Sequence, residues 1–456
     1  MNLVRTFFKS MKMNKGNIPA VLSFLLGLLS CNNVLYAFKV GNTYINIVFL
    51  LSFVMFVVFL AIRRPKLRRA VREIDKTLKL FVVMAVVSSI SAIIVFASTP
   101  SLIMSMVNGF IELFLFATLY ICVLFLKEHR KYIVSGIIVG VILNIILSII
   151  QYQIYSGGGE FSLFQFFPQP SFVISSHWGG HEALYGEGAS LIFQYRPQGF
   201  FLETSYYMAL LSSGVALLLA RLKFGPVKAL VIFLLFLTLL LSISGNLIIV
   251  IMVILLYYAV IMVRKIKTRG LGDEKKRPRQ RFWSILTTAL IIVVPIFSLG
   301  AISNFMNEND VYKKLSQSIS SANIADDNNA ERSGNMAKSL SLVPQYPLGV
   351  GYNMSSRLLG REYGDDLKAH SAFNRLITIQ LEVGFVGLIL YIVYIVRMSV
   401  IPLLRERTKY GVALTISVLG LFVCQIGNGI GFFPFIVIIL ALANIQANQY
   451  KKEYNE

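Results

Sequence analysis

The chain has 456 residues, 56% of them hydrophobic and only 14% charged, with a mean hydropathy of +0.69. A soluble protein of this length could not hide so much apolar surface, so a lipid bilayer must be the solvent for most of it. The formal net charge of +21 invites a nucleic-acid reading. The basic residues, however, fall in short clusters between apolar runs, as in cytoplasmic loops, and nucleic acid is excluded as a partner.

About 17 to 25 apolar residues cross the hydrocarbon core. Such runs lie near 18–37, 43–62, 80–97, 102–126, 132–153, 204–220, 229–244, 246–263, 283–303, 371–396, 410–427 and 430–446. They predict an all-α polytopic membrane protein of about twelve transmembrane helices. The seventh and eighth form one apolar stretch, which "SISGN" would divide by a tight reversal. "RRPKLRRAVREIDK" and "RKIKTRGLGDEKKRPRQR" mark the cytoplasmic side and face anionic lipid. Both termini are then cytoplasmic. The chain divides into a five-helix membrane part (1–153), a first long external loop (154–203) and central membrane helices (204–303). A second long external loop (304–369), then C-terminal helices with a cytoplasmic tail (370–456), complete it.

Cys31, Cys122 and Cys424 lie in or beside apolar segments and read as small buried hydrophobes, not as a disulfide framework or a zinc site. "LLSCNN" around Cys31 has some likeness to a lipoprotein cleavage site. Leu29 fits that pattern poorly, and an uncleaved first helix is expected.

The outer side carries few basic groups, so each one counts. Those near the membrane are Arg196, Arg332, Arg357, Arg361, Lys368 and Arg375. A guanidinium fork suits a phosphate or pyrophosphate and stays charged at any working pH. The alternative for each is an ion pair with an acid such as Glu203, Glu331 or Asp365. At the start of the tenth span, Ser371, Arg375, Thr378 and Glu382 share one helical face, flanked by His370 and Asn374. Such a polar stripe belongs toward the bundle interior or a wet cavity. His370 is a candidate general base, or else an interfacial histidine satisfied locally. Ser105, Asn108 and Glu112 form a second, weaker stripe that helix–helix hydrogen bonding explains. His177, His181 and Glu182 in "HWGGHE" have metal-like spacing but no second ligand cluster, and no metal is expected. The acidic pairs Asp326–Asp327 and Asp365–Asp366 read as solvated, and no Gly-rich phosphate loop argues for ATP.

Three stretches carry a family resemblance: "YRPQGFFLETSYYMA", "ERSGNMAKSLSLVPQYPLGVGYNM" and "AHSAFNRLITIQLEVGFVGLILYI". In order and spacing they resemble the O-antigen polymerase and ligase superfamily over roughly 190–396. The chain departs from that pattern at Ser371, where Asn is frequent, and at Thr204, where many relatives have Pro. The resemblance implies a GT-C-like membrane glycosyltransferase without a cofactor, with its active site on the external face of the bacterial cytoplasmic membrane. The implied donor is an undecaprenyl-pyrophosphate-linked oligosaccharide, built into capsule, exopolysaccharide or O-antigen. Arg196, Arg332, Arg357 and Arg361 would hold the pyrophosphate, and Glu203 or His370 would act as the base. Asn374, Arg375 and Glu382 would support them, and a flippase and a chain-length regulator are expected partners. A polymerase is favoured over a ligase that transfers the finished glycan to an anchor. A flippase or transporter is disfavoured because the polar groups cluster at the outer surface instead of mid-membrane.

Overall fold

The computed structural model describes residues 18–40, 43–96, 99–156, 197–201, 204–222, 225–242, 247–269, 323–364, 371–405, 408–428 and 431–455. Within them run α1 (Ile18–Leu29), a hairpin of β1 (Tyr36–Val40) and β2 (Thr43–Asn46), α2 (Ile47–Ile62), α3 (Arg64–Arg72) and α4 (Lys76–Val95). Next come α5 (Pro100–Phe125), α6 (Arg130–Ser156), α7 (Thr204–Arg221), α8 (Pro226–Ser242) and α9 (Leu247–Arg269). The remainder are α10 (Asn323–Leu342), α11 (Ser355–Glu362), α12 (Arg375–Met398), α13 (Val400–Arg405), α14 (Lys409–Asn428) and α15 (Pro434–Asn455).

This is a helical membrane protein. Among the described residues five helical segments are long and apolar enough to cross a bilayer: Lys76–Val95, Leu102–Phe125, Lys127–Ile154, Arg375–Leu403 and Lys409–Gly427. The count becomes six if α2 and α3, bent by 118°, form one broken span. α8 and α9 are separate helices, as the predicted reversal requires, although residues 243–246 between them lie outside the described residues. So does the predicted span at 283–303.

Two predicted spans differ from the structure. The run 18–37 is helical only to Leu29, because the following asparagines offer the backbone other partners. Asn32 Oδ1 accepts from Leu35 N at 3.0 Å and from Asn46 Nδ2 at 2.9 Å, which pins the start of the hairpin. The run 43–62 begins as β2, whose "TYIN" is strand-forming, and becomes α2 at Ile47. Asn46 caps that helix by accepting from Val48 N at 3.1 Å.

Small residues let the helices approach closely. α1 packs on α6, where a Cβ on Gly136 would sit 2.1 Å from the Phe24 carbonyl oxygen. α7 packs on α14, with Ser417 Oγ donating to the Ser213 carbonyl. α4 packs on α12 and is tied to it at one end by the 2.9 Å ion pair of Asp75 with Arg397. At this same end α3 buries Leu67 and Ala70 and exposes Arg64, Arg68, Arg69 and Arg72. All three cysteines are free and buried, as their sequence setting predicts.

Candidate active site

The far end of α4 and α12 from that basic helix holds the polar residues predicted at the start of the tenth span. Asn374 begins α12 as its N-cap, accepting from Leu376 N at 2.9 Å and Ile377 N at 3.4 Å. Arg375, the first residue of the helix, and Glu382, seven residues further on, turn inward, and both are more than nine-tenths buried. Thr378 Oγ1 is turned back on the helix, donating to the Asn374 carbonyl at 3.0 Å. Ser371 is exposed and accepts from Phe373 N.

α12 is broken just past Glu382. Gly384 has φ 80 and ψ 179, a conformation open essentially to glycine alone. Breaking a helix inside a membrane strands backbone groups that water cannot reach, at a cost of several kcal/mol each in hydrocarbon. Here the loop after α10 takes them up. Val350 N donates to the Leu381 carbonyl at 2.7 Å and Gly351 N to the Glu382 carbonyl at 3.1 Å, while Phe385 N donates to the Pro347 carbonyl at 3.2 Å. Contact this close leaves no room for side chains. A Cβ on Gly384 would lie 2.6 Å from the Pro347 oxygen, and one on Gly349 would lie 2.5 Å from the Glu382 oxygen. "PLGVG" and "EVGFVG", far apart in sequence, are therefore two halves of one backbone clasp.

The clasp is seated on α4 and α5. Ser88 Oγ donates to the Glu382 carbonyl at 2.5 Å and accepts from Gly351 N at 3.0 Å, and Ser89 Oγ accepts from Tyr352 N at 3.0 Å. Ser105 Oγ donates to the Asn353 carbonyl at 2.7 Å. A Cβ on Gly109 would meet the Tyr352 oxygen at 2.6 Å. The Ser105 stripe on α5, expected to join helices, thus receives a loop.

Within this frame the buried charges meet. Glu382 Oε1 accepts from Ser355 Oγ at 2.7 Å, and its carboxylate also accepts from the backbone N–H groups of Asn353 and Ser355. Arg375 is close enough to Glu382 for the charges to interact and donates a hydrogen bond to the Tyr352 phenol, whose pKa burial pushes up. The Arg375 guanidinium lies 4.9 Å from the Phe432 ring centroid, and its Nε finds no acceptor among the described residues. Glu112 of α5 is half-buried and feels both Glu382 and Arg375. The sequence assigns Glu112 only to a stripe of helix–helix hydrogen bonding; its position twelve residues into an apolar helix is the signal that marks it as a member of a buried charge cluster.

The first sequence signature docks by polar side chains of α6 that sequence reasoning passed over. Gln151 Oε1 accepts from Gln198 N at 3.0 Å and Gly199 N at 2.8 Å, and Asn144 Oδ1 accepts from Phe200 N at 2.8 Å. Phe201 is fully buried, edge-on to Phe435 at 6.0 Å. Phe433 contacts Tyr206 at 4.7 Å, while neighbouring Phe432 lies against Arg375. The "GFFPF" segment leading into α15 therefore bridges the first signature and the third.

Of the predicted pyrophosphate ligands, Arg357 and Arg361 lie on α11, directly after the clasp. Arg361 is exposed and its Nη1 donates to Thr99 Oγ1 at 3.3 Å, beside the start of α5. α11 is further tied to α10 by Lys338–Glu362 at 3.0 Å. Arg332 belongs to α10, but its side chain lies outside the described residues. Arg196, Glu203 and His370 also lie outside them, as do His177, His181 and Glu182. Among the described residues no group of three or more His, Cys, Asp or Glu could hold a metal.

Residues 230–392 match the O-antigen ligase family model. The resemblance seen in the sequence motifs is thereby borne out across α8 to α11 and most of α12. The O-antigen ligase match takes in both halves of the clasp, Arg357, Arg361, Asn374, Arg375 and Glu382, while the first signature precedes it. No curated protein matches the chain.

Proposed function

We propose that this protein is a polysaccharide polymerase of twelve-span, GT-C-like build. In this reading it joins undecaprenyl-pyrophosphate-linked oligosaccharide repeat units on the outer face of the bacterial cytoplasmic membrane. The observation that carries the reading is the O-antigen ligase match together with what it encloses: a buried carboxylate–guanidinium site clasped to a helix bearing two further arginines. As the bond from the donor's anomeric carbon to its pyrophosphate breaks, undecaprenyl pyrophosphate leaves, and guanidiniums fixed around it stabilise its growing negative charge, a role a metal ion performs elsewhere. Arg196, Arg332, Arg357 and Arg361 are assigned to that task. An acceptor hydroxyl gives up its proton to Glu203 or His370 as its oxygen attacks the anomeric carbon. Asn374, Arg375 and Glu382 hold the site together. A flippase would supply the donor, and a chain-length regulator would set the product size.

Deleting the gene and measuring surface polysaccharide length together with lipid-linked intermediates tests this reading. Loss of long polymer with accumulation of single lipid-linked repeats supports a polymerase. Long polymer left on its lipid carrier would instead identify a ligase, and unchanged glycan would overturn both. Arg196→Ala and Arg332→Ala are expected to reproduce the deletion, with a loss of about 100-fold or more if each removes one transition-state donor.

A further inference from the structure

We infer that Glu382 is a positioning residue for the phosphate-binding arginines of α11, acting as an N-terminal cap supplied from another helix. This rests on the assignment of Arg357 and Arg361 to pyrophosphate made above. A helix needs acceptors for its first N–H groups, and Met354, the residue in the cap position of α11, provides no side-chain acceptor. Glu382 fills that vacancy from within α12. Its carboxylate accepts from Ser355 Oγ at 2.7 Å and from the N–H groups of Asn353 and Ser355. A negative charge at that end also matches the helix dipole. Arg375, itself hydrogen-bonded to the Tyr352 phenol, faces the carboxylate as its counter-charge, and Ser88 grips the main chain of Glu382. The cap thereby fixes where α11 begins. Arg357 follows two residues after Ser355 and Arg361 six, with Arg361 reaching Thr99 at the start of α5. The direction in which both guanidiniums are presented thus depends on a carboxylate that need not itself touch a substrate.

Two measurements on the full-length protein in detergent test this. The first is hydrogen exchange of residues 355–362. Glu382→Gln keeps the side-chain volume and one acceptor oxygen, so it preserves the fold while weakening the cap. It should speed exchange in α11 and leave α14 unchanged; unaltered exchange in α11 would overturn the inference. The second is binding of undecaprenyl pyrophosphate. Glu382→Gln and the double variant Arg357→Ala/Arg361→Ala should each weaken it about tenfold, and the triple variant should be no weaker than the double. A further loss that multiplies would show Glu382 acting independently of the arginines, against the inference. If Arg357→Ala/Arg361→Ala binds as the unchanged protein does while exchange in α11 still responds to Glu382→Gln, the cap stands and the phosphate assignment falls. Glu382→Ala, which removes both oxygens, should exceed Glu382→Gln in both measurements, and the reverse order would count against a cap.

Discussion

Single residues matter most where the backbone has no slack. Gly384 and Gly364 share nearly the same φ, 80 and 78, but only Gly384 has atoms against the place a Cβ would occupy. Gly364→Ala therefore meets backbone strain alone, on the order of 1–3 kcal/mol. Gly384→Ala adds a clash with the Pro347 oxygen and must push the two halves of the clasp apart. Thermal unfolding in detergent should rank the two variants in that order, with Gly384→Ala distinctly the less stable. Ser355→Ala removes a buried hydroxyl that donates to a carboxylate and should cost about 1.5–3 kcal/mol, read in the same experiment. Gly349→Ala belongs with Gly384→Ala, because its Cβ would lie 2.5 Å from both the Glu382 carbonyl and Ser88 Oγ.

At the scale of elements, the α4–α12 pair is closed at both ends by different chemistry. One end uses Ser88 and the clasp; the other uses Asp75, which caps α4 through Thr77 N at 2.9 Å while pairing with Arg397. Asp75→Asn should retain the cap and lose only the partly exposed ion pair, whereas Asp75→Ala loses both. The difference between them should approach the value of one N-cap, about 1 kcal/mol, when the two melting curves are compared. Much of this level was legible in the sequence. Apolar run length located most helices to within a few residues, and the inward face of α12 followed from the spacing of Arg375 and Glu382. What sequence could not give was pairing. "PLGVG" and "EVGFVG" each look like loop or helix punctuation, and only their contact explains the glycines. The short first helix was hidden because "LLSCNNVLYAF" is apolar enough to pass for its continuation, and the deciding bonds of Asn32 and Asn46 join residues fourteen apart. Asn144 and Gln151 looked like isolated polar residues in a span, since the segment they hold is distant in sequence.

For the whole molecule, the clasp and the arginine-rich α3 lie toward opposite ends of the α4–α12 pair. A probe that cannot cross membranes should therefore modify a cysteine placed at Arg361 and one placed at Arg68 from opposite sides of intact cells or inverted vesicles. Labelling of both from the same side would overturn the orientation on which the enzymatic reading depends. The experiment is simplified by the chain's own thiols. Cys31 is held in the tight turn after α1, Cys122 faces the α2 backbone, and Cys424 meets Ser212 between α14 and α7. All three are sealed inside helix contacts and beyond the reach of a water-borne maleimide. The natural chain can thus serve directly as a silent background for site-directed labelling, so each newly introduced cysteine reports its own position without first stripping the protein of residues its packing relies on.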